Sequence, residues 1–478
     1  MKETERRVHA EWRSEAAWLF ALALGIRLVV VAWAASRFPP ADDGSFYHTV
    51  ATRIAAGQGY TWAWPDGAVT FAAHYPVGYP AILGAAYAAL GSAPAVAMCV
   101  NAVFGALLVL GAYWLARSYA PERARWVALA LALHPTLVLY TAALMTEALA
   151  AALVVMLAAY AAWLSESAGG RWRLVPLGLA GGALVLVRPQ LAPLLLVLGA
   201  VSVPSTARQL LLERLLRAAL VLGLGLALCL PWTLRNCAKM DGCVFVSANG
   251  GWNLLIGTMP HGQGSFAPID GATVPPECRD EFGEAGKDRC FGRAGLRRIL
   301  SEPGAWLSLA PLKLGQLFNH GAVASAYLST SNPRLVTDAL RGRIATVETL
   351  ATRAFLLAAC WGLFRSLRGS TRRPLAASRT LAAVAGLLAL SPWGYAAELC
   401  LLACLLLQLV VPGRRPLLVV AAALLGLCVV THIAFFGAPR YALIWLPWLP
   451  LLWASAPVGS ERGSHAGGRP STEAARVF

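Results

Sequence analysis

The chain has 478 residues, 58% hydrophobic and 13% charged, and its formal net charge is +16 from 40 Lys and Arg against 24 Asp and Glu. A soluble domain carries roughly 25% charged residues, so half that share excludes an ordinary cytosolic enzyme, and a mean hydropathy of +0.59 excludes a disordered chain. The basic residues stand in short strings between long apolar runs, which argues against a nucleic-acid partner and for an all-α polytopic membrane protein oriented by its positive loops.

A membrane-crossing helix needs roughly 17–25 apolar residues. The first such run is 17–36, preceded by Lys2, Arg6, Arg7 and Arg13. It lacks a small-residue cleavage site and reads as an anchor rather than a removed signal peptide. Further runs lie near 94–116, 124–141, 143–163, 174–187, 189–203, 217–236, 346–365, 380–396, 397–412, 416–436 and 440–456, about twelve spans in all. Arg-bearing connections fall at 117–125, 171–173, 208–217, 365–379 and 414–415. Placing them in the cytoplasm puts both termini, 1–16 and 457–478, inside. A transmembrane module then covers 17–236, with 37–93 as its external loop. A second external loop covers 237–345, and the last helices fill 346–456. Residues 76–92 read as an interfacial helix, because a full span there would reverse every Arg-rich loop that follows.

The two external segments hold twelve of the 24 carboxylates and four of the ten cysteines, Cys237, Cys243, Cys278 and Cys290. Those four permit two disulfides, most simply 237–243 and 278–290, or they remain free thiols. No CxxC, HExxH or GxxxxGK spacing occurs, so neither a soluble nucleotide site nor a zinc site is expected.

The first external loop carries most of the chemistry. Asp42 and Asp43 follow the Pro39-Pro40 break, and Phe46, Val50, Ile54 and Ala55 then recur at helical spacing. The pattern predicts a surface helix capped by one of the two aspartates. A carboxylate at the membrane–water boundary also suits activation of an acceptor hydroxyl or amine. A divalent ion, with Asp42 as its candidate ligand, would instead neutralise a phosphate leaving group. Tyr60, Trp62 and Trp64 form an aromatic cluster, either an interfacial belt or a sugar platform.

Charged residues near the external helix ends come next: Glu147, Arg188, Arg235, Glu398 and Arg440. Arginines in that position match phosphate oxygens bidentately, or else snorkel to the interface. His74 suits a phosphate contact or a proton relay, or is a solvated loop histidine. Arg27 lies mid-span, where a helix acid could pair with it, while His134 and His432 read as satisfied core histidines. Residues 277–300 read as a solvated helix and 304–320 as an amphipathic interfacial one.

Several of these motifs occur in one order. They are Asp42-Asp43, Tyr47, Ala51, Ile54, Gly57, Gly59-Tyr60, Pro76-Val77-Gly78-Tyr79-Pro80, Thr146-Glu147-Ala148 and Val187-Arg188-Pro189. Pro231-Trp232-Thr233-Leu234-Arg235-Asn236, Asn249-Gly250-Gly251-Trp252-Asn253-Leu254 and Arg440-Tyr441 complete the set. Over 15–456 this resembles the GT-C glycosyltransferases related to protein O-mannosyltransferases and the lipid A aminoarabinose transferase. The resemblance implies a GT-C-type helix bundle in a bacterial-type inner membrane, its site facing the periplasm or exterior. It implies a polyprenyl-phosphate sugar donor, a lipid, glycan or protein acceptor, and inversion at the sugar carbon. Asp43 would be the base and Asp42 its helper. Arg188, Arg235, Arg440, Tyr441, His74, Tyr47, Glu147 and Asn249 would contact the donor. The one cofactor candidate on this reading is a divalent metal ion. A flippase of lipid-linked sugars would show internal repeats, and an O-antigen polymerase or ligase a late Arg/His-rich loop; neither signal is present.

Overall fold

Proline placement decides where the helices stop, and therefore where the charged residues sit. The computed structural model describes residues 2–167, 170–203, 210–368, 372–410 and 416–455. The expected Arg414-Arg415 connection, the tail 457–478, and parts of 208–217 and 365–379 lie outside the described residues. Helix α1 (Lys2–Ala34) leads into the first external loop, which holds α2 (Asp43–Ala55), a short hairpin and α3 (Gly78–Leu90). Then come α4 (Pro94–Arg117), α5 (Pro121–Leu133), α6 (Pro135–Leu139), α7 (Glu147–Glu166), α8 (Leu174–Val187), α9 (Ala192–Val201) and α10 (Leu210–Lys239). The second external segment contains α11 (Gly250–Ile256), α12 (Glu284–Ser301), α13 (Pro303–Ser308), α14 (Ala310–Phe318) and α15 (Ala324–Ser331). Helices α16 (Asp338–Ser366), α17 (Arg373–Ala389), α18 (Gly394–Leu409), α19 (Pro416–Ala434) and α20 (Trp448–Ala454) complete the chain.

The all-α polytopic architecture matches the composition, but the lengths are uneven. The apolar part of α1, Glu11–Ala34, has 24 residues; at 1.5 Å per residue it extends roughly 36 Å, enough to cross a hydrocarbon core. Among the described residues six helices reach that standard, and α5 with α6 makes a seventh, bent by 56°. Individual length thus supports fewer full crossings than the twelve expected. The bend follows from Pro135, which steers His134 out of the helical region (φ −63°, ψ 122°). Arg188, before Pro189, is extended in the same way (φ −144°, ψ 87°), and so is Ala438 before Pro439 (φ −153°, ψ 144°). Two of these three breaks place an arginine, Arg188 or Arg440, outside regular α-helix.

The hairpin of the first loop pairs Thr61 with Phe71, Trp62 with Thr70 and Ala63 with Val69. Helix α3 presses its first turn against the end of α8: a Cβ on Gly78 would lie 2.6 Å from Val187 Cγ2 and 2.8 Å from the Leu186 carbonyl. Only glycine allows that approach, and it fixes loop one beside Arg188. The second segment pairs Cys237 with Cys243 and Cys278 with Cys290. Its α12 is less solvated than its charge suggests, because Ala285, Cys290, Phe291 and Ala294 are buried. The acidic face of α12 reaches backbone donors instead of water. Glu284 accepts the Ala73 N–H (2.6 Å) and Asp288 the Gly251 N–H (2.7 Å). The two long segments, 37–93 and 237–345, therefore form one layer over the helix ends.

Candidate active site

The site is built at four chain discontinuities: the turn before α2, the start of α7, the α8–α9 break, and the 3₁₀ turn Pro439–Ile444. Asp43 begins α2, and its Oδ2 pairs with Arg440 Nη2 at 2.8 Å. Its Oδ1 accepts the Tyr75 hydroxyl at 2.7 Å. Glu147 begins α7; its Oε1 pairs with Arg188 Nη2 and lies 4.0 Å from Arg440 Nε. Arg188 Nε also donates to Thr146 Oγ1 (2.9 Å), and the Tyr140 hydroxyl donates to Glu147 Oε2 (3.2 Å). Tyr441 completes the cluster, with its hydroxyl 3.1 Å from Arg440 Nη2 and its ring centre 5.3 Å from the Arg188 guanidinium. Tyr47 packs edge-on against Tyr75 and Tyr79, with ring centres 5.3 and 5.5 Å apart. Two carboxylates and two guanidiniums thus meet at the layer formed by the two long loops.

The two pairs differ in access. The Asp43 and Arg440 side chains are 23% and 26% exposed, whereas Glu147 is 1% exposed. Asp43 is therefore the carboxylate a substrate can reach. Burial favours its neutral form, but Arg440, the Tyr75 hydroxyl and Arg188 outweigh burial and hold its pKa below the ordinary value. Burial and the Asp43 charge push the Tyr75 phenol up, so Tyr75 remains a donor. Burial pulls the His74 imidazole down, against Asp43 and a backbone contact to Ala248 that raise it. His74 stands edge-on to Tyr75 (4.7 Å) and Trp252 (5.5 Å), one residue removed from the carboxylate.

Three candidates lie apart from this cluster. Asp42 is exposed and makes no side-chain cap, so the expected capping role is not filled. Its backbone (φ 50°, ψ −135°) turns the chain, with the Gly44 N–H bonded to the Ala41 carbonyl at 2.9 Å. Asp, Asn and Gly tolerate this geometry best. Asp42→Gly is therefore expected to keep thermal stability within about 1 kcal/mol and to keep turnover, while Asp42→Val costs about 1–3 kcal/mol; melting in detergent checks both. Arg235 braces the hairpin: it donates to the Ala72 and Tyr60 carbonyls at 2.8 and 2.7 Å and covers Trp232. Asn249 stands at the N-terminus of α11 and accepts the Ser247 hydroxyl.

Other expectations resolve locally. Tyr60 is buried against Trp232, Trp62 stacks on Phe46 (5.0 Å), and Trp64 is exposed, so the three aromatics do not form one platform. Glu398 accepts the Trp445 indole N–H at 3.0 Å. Arg27 finds no helix acid; Nη1 donates to the Ala23 carbonyl, and Nε and Nη2 have no partner among the described residues. His432 is satisfied by the Phe436 carbonyl, whereas both His134 nitrogens lack a partner there. Tyr75 and Thr146 lie within or beside the sequence motifs, with no pattern of their own that marks them. Nothing in the sequence marks Tyr140.

The donor set does not fit a divalent cation. Among the described residues no group of three or more His, Cys, Asp or Glu is gathered for one, and both Asp43 oxygens already have partners. Beside Arg188 lies a small recess of about 20 Å³, lined by Gln190, Leu424, Cys428, Thr431, His432 and Tyr441, with room for about one water molecule.

No family model matches the chain, and no curated protein matches it. Among solved structures it is similar to ArnT from Cupriavidus metallidurans bound to undecaprenyl phosphate, at 16% identity and a TM-score of 0.40, covering 92% of this chain and 76% of that one. It is also similar to the Archaeoglobus fulgidus oligosaccharyltransferase in complex with Zn and sulfate, at 14% identity and a TM-score of 0.40, covering 88% and 53%. A third is AglB from Archaeoglobus fulgidus with an inhibitory peptide and a dolichol-phosphate, at 12% identity and a TM-score of 0.42, covering 92% and 49%. The chain spans about half the length of these two archaeal proteins. Overlap at these TM-scores is partial and carries no chemistry across to this chain.

Proposed function

We propose that the protein is an integral-membrane glycosyltransferase that moves a sugar from a polyprenyl-phosphate donor to a lipid, glycan or protein acceptor at the external face. One observation carries the reading: an accessible carboxylate, Asp43, is paired at 2.8 Å with Arg440, and Arg188 stands beside them on the neighbouring carboxylate Glu147. The guanidiniums suit the phosphate of a lipid-borne donor. The acceptor O–H would give its proton to Asp43 as its oxygen bonds to the sugar's anomeric carbon. The bond from that carbon to the phosphate oxygen breaks on the opposite side, inverting the centre. The electron pair leaves with the lipid phosphate, which Arg440 and Arg188 stabilise.

In the empty site the carboxylates act as counterions for the arginines. A donor phosphate would take Arg440 from Asp43, and losing that partner raises the carboxylate's proton affinity. The base is thereby strengthened only when the donor is in place. The pH profile carries the signature. In the free enzyme Asp43 stays ionised below its ordinary pKa of roughly 3.9; the stability this pair contributes is present above that value and is lost as pH falls through the lower folded pKa. The acid limb of kcat/KM for the donor, which reports free enzyme, is expected at lower pH than the acid limb of kcat, which reports the complex. Coincident limbs would count against the exchange.

The direct test uses purified protein in nanodiscs with synthetic polyprenyl-phosphate sugars. Acceptor-dependent release of polyprenyl phosphate is expected, with inverted configuration in the product. Movement of the donor between leaflets without bond cleavage would replace this reading with a flippase.

A further inference from the structure

Asp43 and Glu147 belong to segments a hundred residues apart, and something must hold them in register. The segment before α2 and the segment before α7 meet at one atom. The Tyr327 hydroxyl accepts the Ala41 N–H at 3.2 Å and the Leu144 N–H at 3.3 Å. Ala41 is two residues before Asp43, and Leu144 three before Glu147. Gly44 leaves room for it, since a Cβ there would lie 2.9 Å from the Tyr327 oxygen.

The helix that carries Tyr327 is itself fixed at both ends. The buried Glu348 of α16 accepts the Ala324 and Ser325 N–H groups at 2.8 and 3.0 Å, and the Ser325 hydroxyl as well. At the other end Ser331 donates to the Pro39 carbonyl (2.6 Å) and Asn332 to the Arg37 carbonyl (2.8 Å). Helix α15 is thus tied to α16 and to the entry of loop one, with its tyrosine aimed between the acid-bearing segments.

We propose that Tyr327 is a positioning residue for the transfer reaction, its hydroxyl pinning the Asp43 and Glu147 segments at the separation the two ion pairs require. The inference rests on the glycosyl-transfer reading above. Tyr327→Phe keeps the ring and removes the acceptor, leaving two backbone donors unpaired. Tyr160→Phe serves as the control, because its hydroxyl bonds the Arg173 carbonyl (3.0 Å) at the opposite end of α7. Gly44→Ala, which crowds the hydroxyl, is the second variant.

Hydrogen exchange is the first readout. Amides in 41–47 and 143–147 are expected to exchange roughly tenfold faster or more in Tyr327→Phe, and in neither segment for Tyr160→Phe. The second is kinetic: kcat falls about 10²-fold, the scale of an ångström misplacement, while donor KM changes little. Unchanged exchange in both segments overturns the proposal, as does a kcat equal to that of Tyr160→Phe. Faster exchange in a protein whose wild type transfers no sugar supports the pin and overturns the transfer reading, so the two failures are distinguishable.

Discussion

Asp43→Asn is expected to lower turnover by about 10³-fold, within the roughly 10²–10⁴ range of a lost general base, while Asp42→Asn stays near wild type. The substitution is close to isosteric, and an amide oxygen still accepts the Tyr75 hydroxyl now bonded at 2.7 Å. What it removes is the negative charge and the capacity to take a proton. The cost in stability is small by comparison, because the Asp43–Arg440 pair is about a quarter exposed on both sides and solvent screens it; about 1 kcal/mol is the scale. Turnover and melting temperature therefore separate. Donor binding should be retained or tightened, since Arg440 no longer has an internal competitor. Equal losses in the Asp42 and Asp43 variants would sink the assignment, because only one of them faces the arginines.

Arg188→Met should produce the largest loss of stability of any single change at the site, about 3–5 kcal/mol. Glu147 is 1% exposed and has Arg188 as its close ionic partner, with Arg440 at 4.0 Å. Removing the guanidinium leaves a buried carboxylate undercompensated, and that penalty exceeds the modest worth of the pair itself. The double variant Arg188→Met with Glu147→Gln is expected to recover most of the stability but none of the turnover, since a phosphate ligand is still missing. A double-mutant cycle in detergent, read by thermal unfolding and by donor turnover, measures both. Recovery of activity in the double variant would show that Arg188 serves folding alone.

How much of this was legible beforehand depended on whether a residue's role was local. Asp42 and Asp43 stand out together because they follow a Pro-Pro break at the mouth of a span, with the family resemblance favouring Asp43, and Arg188 stands out because the next residue is a proline that must open the helix. Both features act within a few residues. Arg235 has the same placement at a helix end, yet the folded hairpin brings two carbonyls, Tyr60 and Ala72, onto its guanidinium. Placement near a helix end does not by itself reveal that contact. Asp42 looked like a cap because aspartate favours that role, but its backbone conformation aims the chain rather than the side chain. Tyr327 was invisible for another reason: it is 286 residues from the amide it accepts, and a tyrosine in a mixed external segment carries no pattern. The twelve apolar runs were read from hydropathy, while the unevenness of the helices comes from prolines and glycines that composition averages away.

The matched pairs at the centre of the site also bear on what limits turnover. A polyprenyl-phosphate sugar is a phosphodiester with a single negative charge. Once the sugar has left, the carrier is a monoester bearing roughly −1.5 to −2 at pH 7. Two arginines that were already balanced by two carboxylates meet a more highly charged species after the reaction than before it. Asp43 has by then gained the acceptor's proton and no longer competes for Arg440. On the proposed reading the spent carrier would consequently be held more tightly than the loaded one, and its escape, rather than bond-making, would set the pace. Loss of that proton from Asp43 to solvent would restore the competing carboxylate, so the same ion pair that delays the donor at entry would become the device that expels the product.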